Sequence, residues 1–363
     1  MNDPIFKRYL RWLSLAVGVA LLGLIALNWL VDPLQFYRRA SYPPFIIDQK
    51  RFQIPGIAKH YDYDAVVVGT SMSENIRVSD VRERFGWTIL NLALQGGSAR
   101  EQRLALEVAL RTGKLRHVLW DVNWEYLRGD PDWVADYDGT FPFYFYDENA
   151  GNEIGSYLWS VDTTKSSAKI LLRRAGLKTY ESRTPEEVFT WFNRKQFGIE
   201  SLRRSWKKYV TKREVTYGRR AGEYALSNLN GNFDRHFLEV IRQHPEVEFK
   251  LYFPPFSLAY YADLRAANPQ VFADLLANKR HIVQALESCP NAQIFDFQSE
   301  VAIVRNATNY CDLMHYSHTT TLQLLDDMRA GNRQACNVPA DELRRLIESA
   351  QTDAWLRATL ELP

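Results

Sequence analysis

The sequence predicts an α/β domain built on a parallel sheet and carried behind one N-terminal membrane-spanning helix. From about residue 62, short apolar runs ending in small or polar residues alternate with segments of helical spacing. That rhythm belongs to parallel strands joined by helical crossovers. Ahead of it, Trp12 to Val31 ("WLSLAVGVALLGLIALNWLV") carries no charge, and Ser14 and Asn28 are its only clearly polar residues. A chain of 363 residues can bury one substantial core, or a core and a smaller appended unit. Its formal charge of +2 gives no reason to expect nucleic acid as a partner.

About 20 apolar residues rising 1.5 Å each cross a hydrocarbon layer of ~30 Å. Lys7, Arg8 and Arg11 precede the run and Asp32 follows it. That asymmetry predicts residues 1–11 in the cytoplasm, 12–31 as the anchor, and the remainder outside. Trp12 and Trp29 fall near the two interfaces. A cleaved signal peptide is the competing reading, but no small-x-small cleavage site follows the apolar run, where Asn28-Trp29-Leu30 intervenes.

Residues 33–60 mix prolines, aromatics and bases without a period and read as a juxtamembrane stalk. The α/β domain then runs over 61–335. "YDAVVVG", "WTILNLAL" and "RHVLWDVNW" read as its first three strands. The helix "SAREQRLALEVALRTG" shows a Ser98/Glu101 capping box and a stop at Gly113. The rhythm breaks over about 125–223, which reads as an insertion or cap, and resumes with the helix "GNFDRHFLEVIRQHPE". "VEFKLYFPPFS" and "AQIFDFQ" supply two more strands, separated by helical sequence that Pro269 interrupts. A closing helix is predicted over 338–363.

Ligands of open parallel sheets bind beyond the carboxyl ends of the strands. There the chain places Gly69, Thr70 and Ser71, then Gly96, Gly97 and Ser98, then Asp121, Asn123 and Glu125, and finally Asp312 and His315 of "CDLMH". The set fits acyl transfer. A serine hydroxyl needs a base, and His315 can take its proton while Asp312 fixes the imidazole tautomer. Backbone N–H groups of Ser71 and Gly96 (or Gly97), with the Asn123 side chain, can meet the oxyanion. Ser71 could instead only cap the next helix, although Ser73 and Glu74 are also available for that. His318 competes with His315, and Asn123 could simply end a strand.

"VVVGTSMSENI", "NLALQGG", "WDVNW" and "CDLMHYS", in this order, resemble the blocks of the SGNH (GDSL-like) hydrolase superfamily. The resemblance covers about 62–330 without the insertion and implies a three-layer α/β/α fold. It places the family's serine on Ser71, its block-two glycine on Gly96, its asparagine on Asn123, and its Asp-x-x-His on Asp312 and His315. Two departures stand out. Thr70 replaces the usual Asp of the first block, and Asp121-Val122-Asn123-Trp124 replaces the usual Gly-x-Asn-Asp. The single anchor and "YFPPFS" more narrowly resemble membrane-anchored members of the D-alanyl transfer protein type, which implies work on envelope polymers.

The expected function is thus an esterase or O-acyltransferase on acyl esters of a cell-envelope glycan or polymer. It would face the periplasm from the inner (cytoplasmic) membrane, within reach of a multi-pass membrane acyltransferase. The alternative is a non-catalytic anchored scaffold of a polysaccharide assembly complex. A metal-dependent phosphoesterase is disfavoured, because seven scattered His show no ligand spacing, and no cofactor or metal is expected. In an oxidising compartment one disulfide is expected, with Cys311–Cys336 the favoured pair, which leaves Cys289 free. Ten Lys or Arg between Arg194 and Arg220 offer either a solvated face or a contact for anionic lipid or acidic glycan. The aromatic run Phe141–Tyr146 offers either an insertion core or a carbohydrate-stacking rim.

Overall fold

The structure, a computed structural model, describes residues 4–135, 140–147, 154–212, 217–218 and 220–362. The chain divides into two compact units. Unit one comprises Met1–Tyr61 and Thr140–Val188, and unit two comprises Asp62–Gly139 and Phe189–Pro363. The insertion expected over 125–223 is therefore shared between them. Arg213, Glu214 and Arg219 of its basic stretch lie outside the described residues.

Unit two is an α/β unit with one parallel sheet. Its strands are β1 (Ala65–Val68), β2 (Ile89–Asn91), β3 (His117–Asp121), β4 (Glu248–Phe253) and β5 (Ala292–Asp296), in the order β2-β1-β3-β4-β5. Every neighbouring pair is parallel. β1 is buried along its whole length, which is why "AVVV" shows no alternation. The chain moves outward from β1 to β2 and then crosses back to β3. This reversal opens a crevice at the carboxyl ends of β1 and β3.

The connecting helices begin and end where the local chemistry directs. Ser98 caps Ala99–Leu110 through the reciprocal Glu101 box. Gly86, at φ +74°, ends Val78–Phe85. Asn268 accepts from Gln270 N and Val271 N, so Pro269 starts a second helix after Leu258–Ala267. The closing segment is two helices, Glu342–Ile347 and Ala350–Leu360, because the Ser349 side chain accepts from Thr352 N and starts a new one.

Unit one contains the apolar helix Pro4–Val31, long and apolar enough to cross a membrane. Its last turn is knit into the unit. Asn28 is fully buried, donates to Leu158 O and Thr164 Oγ1, and accepts from Ser167 Oγ. The Asp32 carboxylate accepts from the backbone N–H groups of Phe36, Tyr37 and Arg38 and from Tyr157 Oη–H. The segment read as a stalk folds back here. A Cβ on Gly56 of helix Lys50–His60 would lie 2.2 Å from Leu34 O, so only glycine lets the two backbones approach this closely. Phe141, Phe145 and Tyr146 are buried, which makes most of the aromatic run core.

Candidate active site

β1 is followed by Gly69, whose φ of +139° favours glycine. A Cβ there would stand 2.2 Å from Asp121 Oδ2. Asp121, the last residue of β3, underlies the turn that follows. Its carboxylate accepts from Thr70 N at 2.7 Å and from Ser73 Oγ at 2.7 Å, and Tyr252 of β4 hydrogen-bonds Ser73 Oγ at 2.7 Å. Burial pushes the Asp121 carboxyl up to about 6, against the pull of those donors. From the other side, Asn91 of β2 donates to Ser73 O and Ile76 O. The turn is thus held from β2, β3 and β4, and Ser71 stands on it. Ser71 caps no helix, because Val78–Phe85 begins seven residues beyond it, with Arg77 at its N-cap.

Ser71 Oγ lies 2.8 Å from His315 Nε2, and His315 Nδ1 lies 2.8 Å from Asp312 Oδ2. The other Asp312 oxygen accepts from the backbone N–H groups of Met314 and His315. Burial opposes ionisation of Asp312. The His315 charge and these donors outweigh it and hold the carboxyl below its usual range. An ionised carboxylate only accepts, so Nδ1 carries the proton and Nε2 is free to accept from the Ser71 hydroxyl.

The loop carrying this pair is anchored by the Pro-Pro turn after β4. Ser257 donates through N and Oγ to Leu313 O, and Tyr310 Oη–H donates to Pro255 O. That explains locally why "YFPPFS" and "CDLMH" act together.

Of the two glycines after β2, Gly97 spends its N–H on Leu94 O. The N–H groups of Gly96, at φ +61°, and of Ser71 have no protein acceptor among the described residues. Asn123 is nearly buried. Its Nδ2 donates to Thr70 Oγ1 at 3.3 Å, and its Oδ1 accepts from Glu125 N at the start of the turn Trp124–Tyr126. It therefore ends the strand and also places an amide beside the residue preceding Ser71. Glu125 accepts from the hydroxyls of Tyr217, Tyr224 and Tyr260 in a buried structural cluster.

His318, the competing imidazole, is engaged elsewhere. Its Nε2 lies 2.7 Å from Asp80, which also takes both prongs of Arg77, and its ring stacks on Phe192.

Trp191 is the site residue that sequence reasoning missed. Its Nε1–H donates to Ser71 O at 3.0 Å, and its ring stands perpendicular to that of His315 with centroids 5.1 Å apart. Asn75 Oδ1 accepts from the N–H groups of Trp191 and Phe192 and pins the segment to the turn that carries Ser71. Only "TWFN" within an irregular region marked it, a pattern with no chemistry of its own.

The chain matches no protein-family model, and no curated protein matches it. What can be said of its chemistry therefore rests on the site itself.

The disulfide expectation requires correction, since Cys289, Cys311 and Cys336 are all free thiols. Cys311 sits in the His315 loop and Cys336 on the exposed turn Ala335–Asn337 beside β5. One sulfur is thus held partly buried in a loop and the other faces solvent, and neither is bonded. Burial, aided by the Asp312 charge, pushes the Cys311 thiol up to about 12, so it stays protonated and unreactive. In the basic stretch, Arg203 pairs with Glu200 and Glu361, while Lys207 and Lys208 are exposed without partners among the described residues.

Proposed function

We propose that this chain is a membrane-anchored serine enzyme of the SGNH (GDSL-like) type that moves acyl groups between esters of a cell-envelope glycan or polymer and water or a second hydroxyl. One observation carries the reading: an unbroken Ser71–His315–Asp312 hydrogen-bonded chain at the sheet's topological switch point.

In this reading Ser71 Oγ attacks the ester carbonyl while His315 Nε2 takes the hydroxyl proton. Asp312 keeps Nδ1–H oriented and stabilises the imidazolium. The oxyanion is met by the N–H groups of Ser71 and Gly96 and by Asn123 Nδ2. Collapse gives the acyl-enzyme, and His315 returns its proton to the departing alcohol. Water or an acceptor hydroxyl then attacks and loses its proton to His315; the bond between the acyl carbon and Ser71 Oγ breaks as His315 returns that proton to Oγ, which restores the free serine. The apolar helix would hold this chemistry at the periplasmic face of the inner membrane. Its buried Asn28, hydrogen-bonded to Leu158 O, Thr164 Oγ1 and Ser167 Oγ, supports a retained anchor, since cleavage behind the helix would remove those contacts from unit one.

The test is mass spectrometry of the full chain after exposure to a fluorophosphonate and to activated acyl esters. A covalent adduct on Ser71, absent from Ser71→Ala, is the expected result. A chain that takes up neither reagent would be the anchored scaffold instead.

A further inference from the structure

A second candidate site lies wholly within unit one, at the outer end of the apolar helix. A cavity of about 190 Å³ opens there. Part of its lining is apolar, from Leu30 and Val31 of the last helical turn and Ile170 and Leu171 of helix Val161–Arg174. Arg38, Arg39 and Arg174 bring positive charge to it, beside Asp32, Ser41 and Tyr42.

Each cation is placed by an identifiable contact or by its exposure. Arg38 Nη1 donates to Trp29 O at 2.9 Å, and its guanidinium lies 4.2 Å from the Trp29 ring centroid, which pins it to the helix end. Arg39 rests over the Tyr61 ring. Arg174 is exposed and has no ion-pair partner among the described residues. Asp32 is the one acid in the lining among the described residues, and its oxygens are already occupied by three backbone N–H groups and Tyr157. Among the described residues Arg38 and Arg174, without Arg39, already outnumber the single acid of the lining.

We propose that this cavity binds the phosphate diester of an anionic phospholipid headgroup. The proposal rests on the reading that Pro4–Val31 spans the membrane, and not on the chemistry at Ser71. If the helix spans, Trp29 and Val31 sit at the boundary between hydrocarbon and headgroups. The apolar lining then meets the glycerol and upper acyl region, and the arginines meet the phosphate. Guanidinium groups match phosphate oxygens with paired donors. Surplus positive charge selects a headgroup without a compensating ammonium. Exposed Leu30 and Leu171 give the acyl chains an apolar surface to follow.

The test is native mass spectrometry of the detergent-solubilised full chain with added phosphatidylglycerol or phosphatidylcholine. Phosphatidylglycerol should be retained about tenfold better, and Arg174→Gln should lower that retention about fivefold. Lys207→Gln, an exposed cation of unit two, should leave it unchanged. Equal retention of the two lipids, or no effect of Arg174→Gln, overturns the site. Displacement of the lipid by equimolar inorganic phosphate would make it a free-anion site and overturn the lipid assignment. Alkaline carbonate extraction separates the two levels. A chain released from membranes sinks the spanning reading and the site with it, whereas a retained chain with no lipid preference sinks the site alone.

Discussion

Ser71 Oγ and His315 Nε2 stand 2.8 Å apart across 244 positions of sequence. Two independent anchors bring them together. The serine turn is tied to the sheet through Asp121, Ser73 and Asn91. The histidine loop is tied to the end of β4 through Ser257 and Tyr310. Because β1 and β4 flank β3 in one sheet, the two loops emerge from the same edge.

If that contact performs acyl transfer, removing either partner removes the first half-reaction. Ser71→Ala and His315→Ala should each lower ester turnover about ten-thousandfold or more, with the thermal transition preserved. Asp312→Asn should also cost about a thousandfold or more, through loss of the correct tautomer. Turnover assays with circular dichroism on the same samples check this. Near-normal rates in either Ala variant would end the proposal.

Much of this was legible because it is local chemistry repeated at strand ends. "AVVV", "HVLWD" and "EFKLYF" are continuous or nearly continuous apolar runs of the kind buried parallel strands carry, and the small or polar residues after them marked the edge where Ser71 and His315 meet. Trp191 was not legible, because its role comes from a long-range packing of an irregular segment against Ser71. The partnership of residues 33–60 with 140–188 was hidden for the same reason, since it has no periodicity and depends on single contacts such as Gly56 against Leu34 O. The disulfide expectation rested on compartment alone, and pairing is a matter of distance that composition does not encode.

Gly69 should tolerate no side chain. Alanine there would meet Asp121 Oδ2 at 2.2 Å in a backbone region that L-residues avoid. Gly69→Ala should cost about 2–4 kcal/mol of stability and lose covalent labelling of Ser71 even in the fraction that remains folded. Thermal melts and probe labelling test both parts. Unchanged melting with full labelling would show that the contact relaxes freely.

Asp121 makes an opposite demand on pH from Asp312. An unfolded aspartate ionises near 3.8, and burial raises the folded Asp121 to about 6. Below pH 4 both states hold the proton and no penalty exists. Between about 4 and 6 the folded state binds more protons than the unfolded one, so rising pH erodes stability, by on the order of 3 kcal/mol when complete. Asp312, lowered on folding, instead contributes above its unfolded value and loses that contribution as pH falls through its folded one. Denaturant titrations of wild type and Asp121→Asn across pH 4–7 should show their stability difference shifting toward the variant as pH rises. A flat difference would mean that Asp121 titrates as an ordinary carboxylate.

Trp191 should set which acyl groups reach Ser71. The serine is only 7% exposed, and the indole stands beside both Ser71 and His315. If Ser71 is acylated, a rigid wall this close to it should leave room for a short acyl chain and obstruct a long one. Trp191→Ala should therefore shift the ratio of kcat/KM for octanoyl over acetyl esters upward by about tenfold, the scale of a few methylenes admitted to a pocket. Trp191→Phe keeps the wall and removes the Nε1–H bond to Ser71 O. Its chain-length preference should stay as in wild type, while turnover of every ester falls about fivefold, the worth of one hydrogen bond. Measuring both variants against the same ester series separates shape from hydrogen bonding. If Trp191→Ala stays active with an unaltered octanoyl-to-acetyl ratio, the acyl chain leaves the site by a path that does not pass the indole.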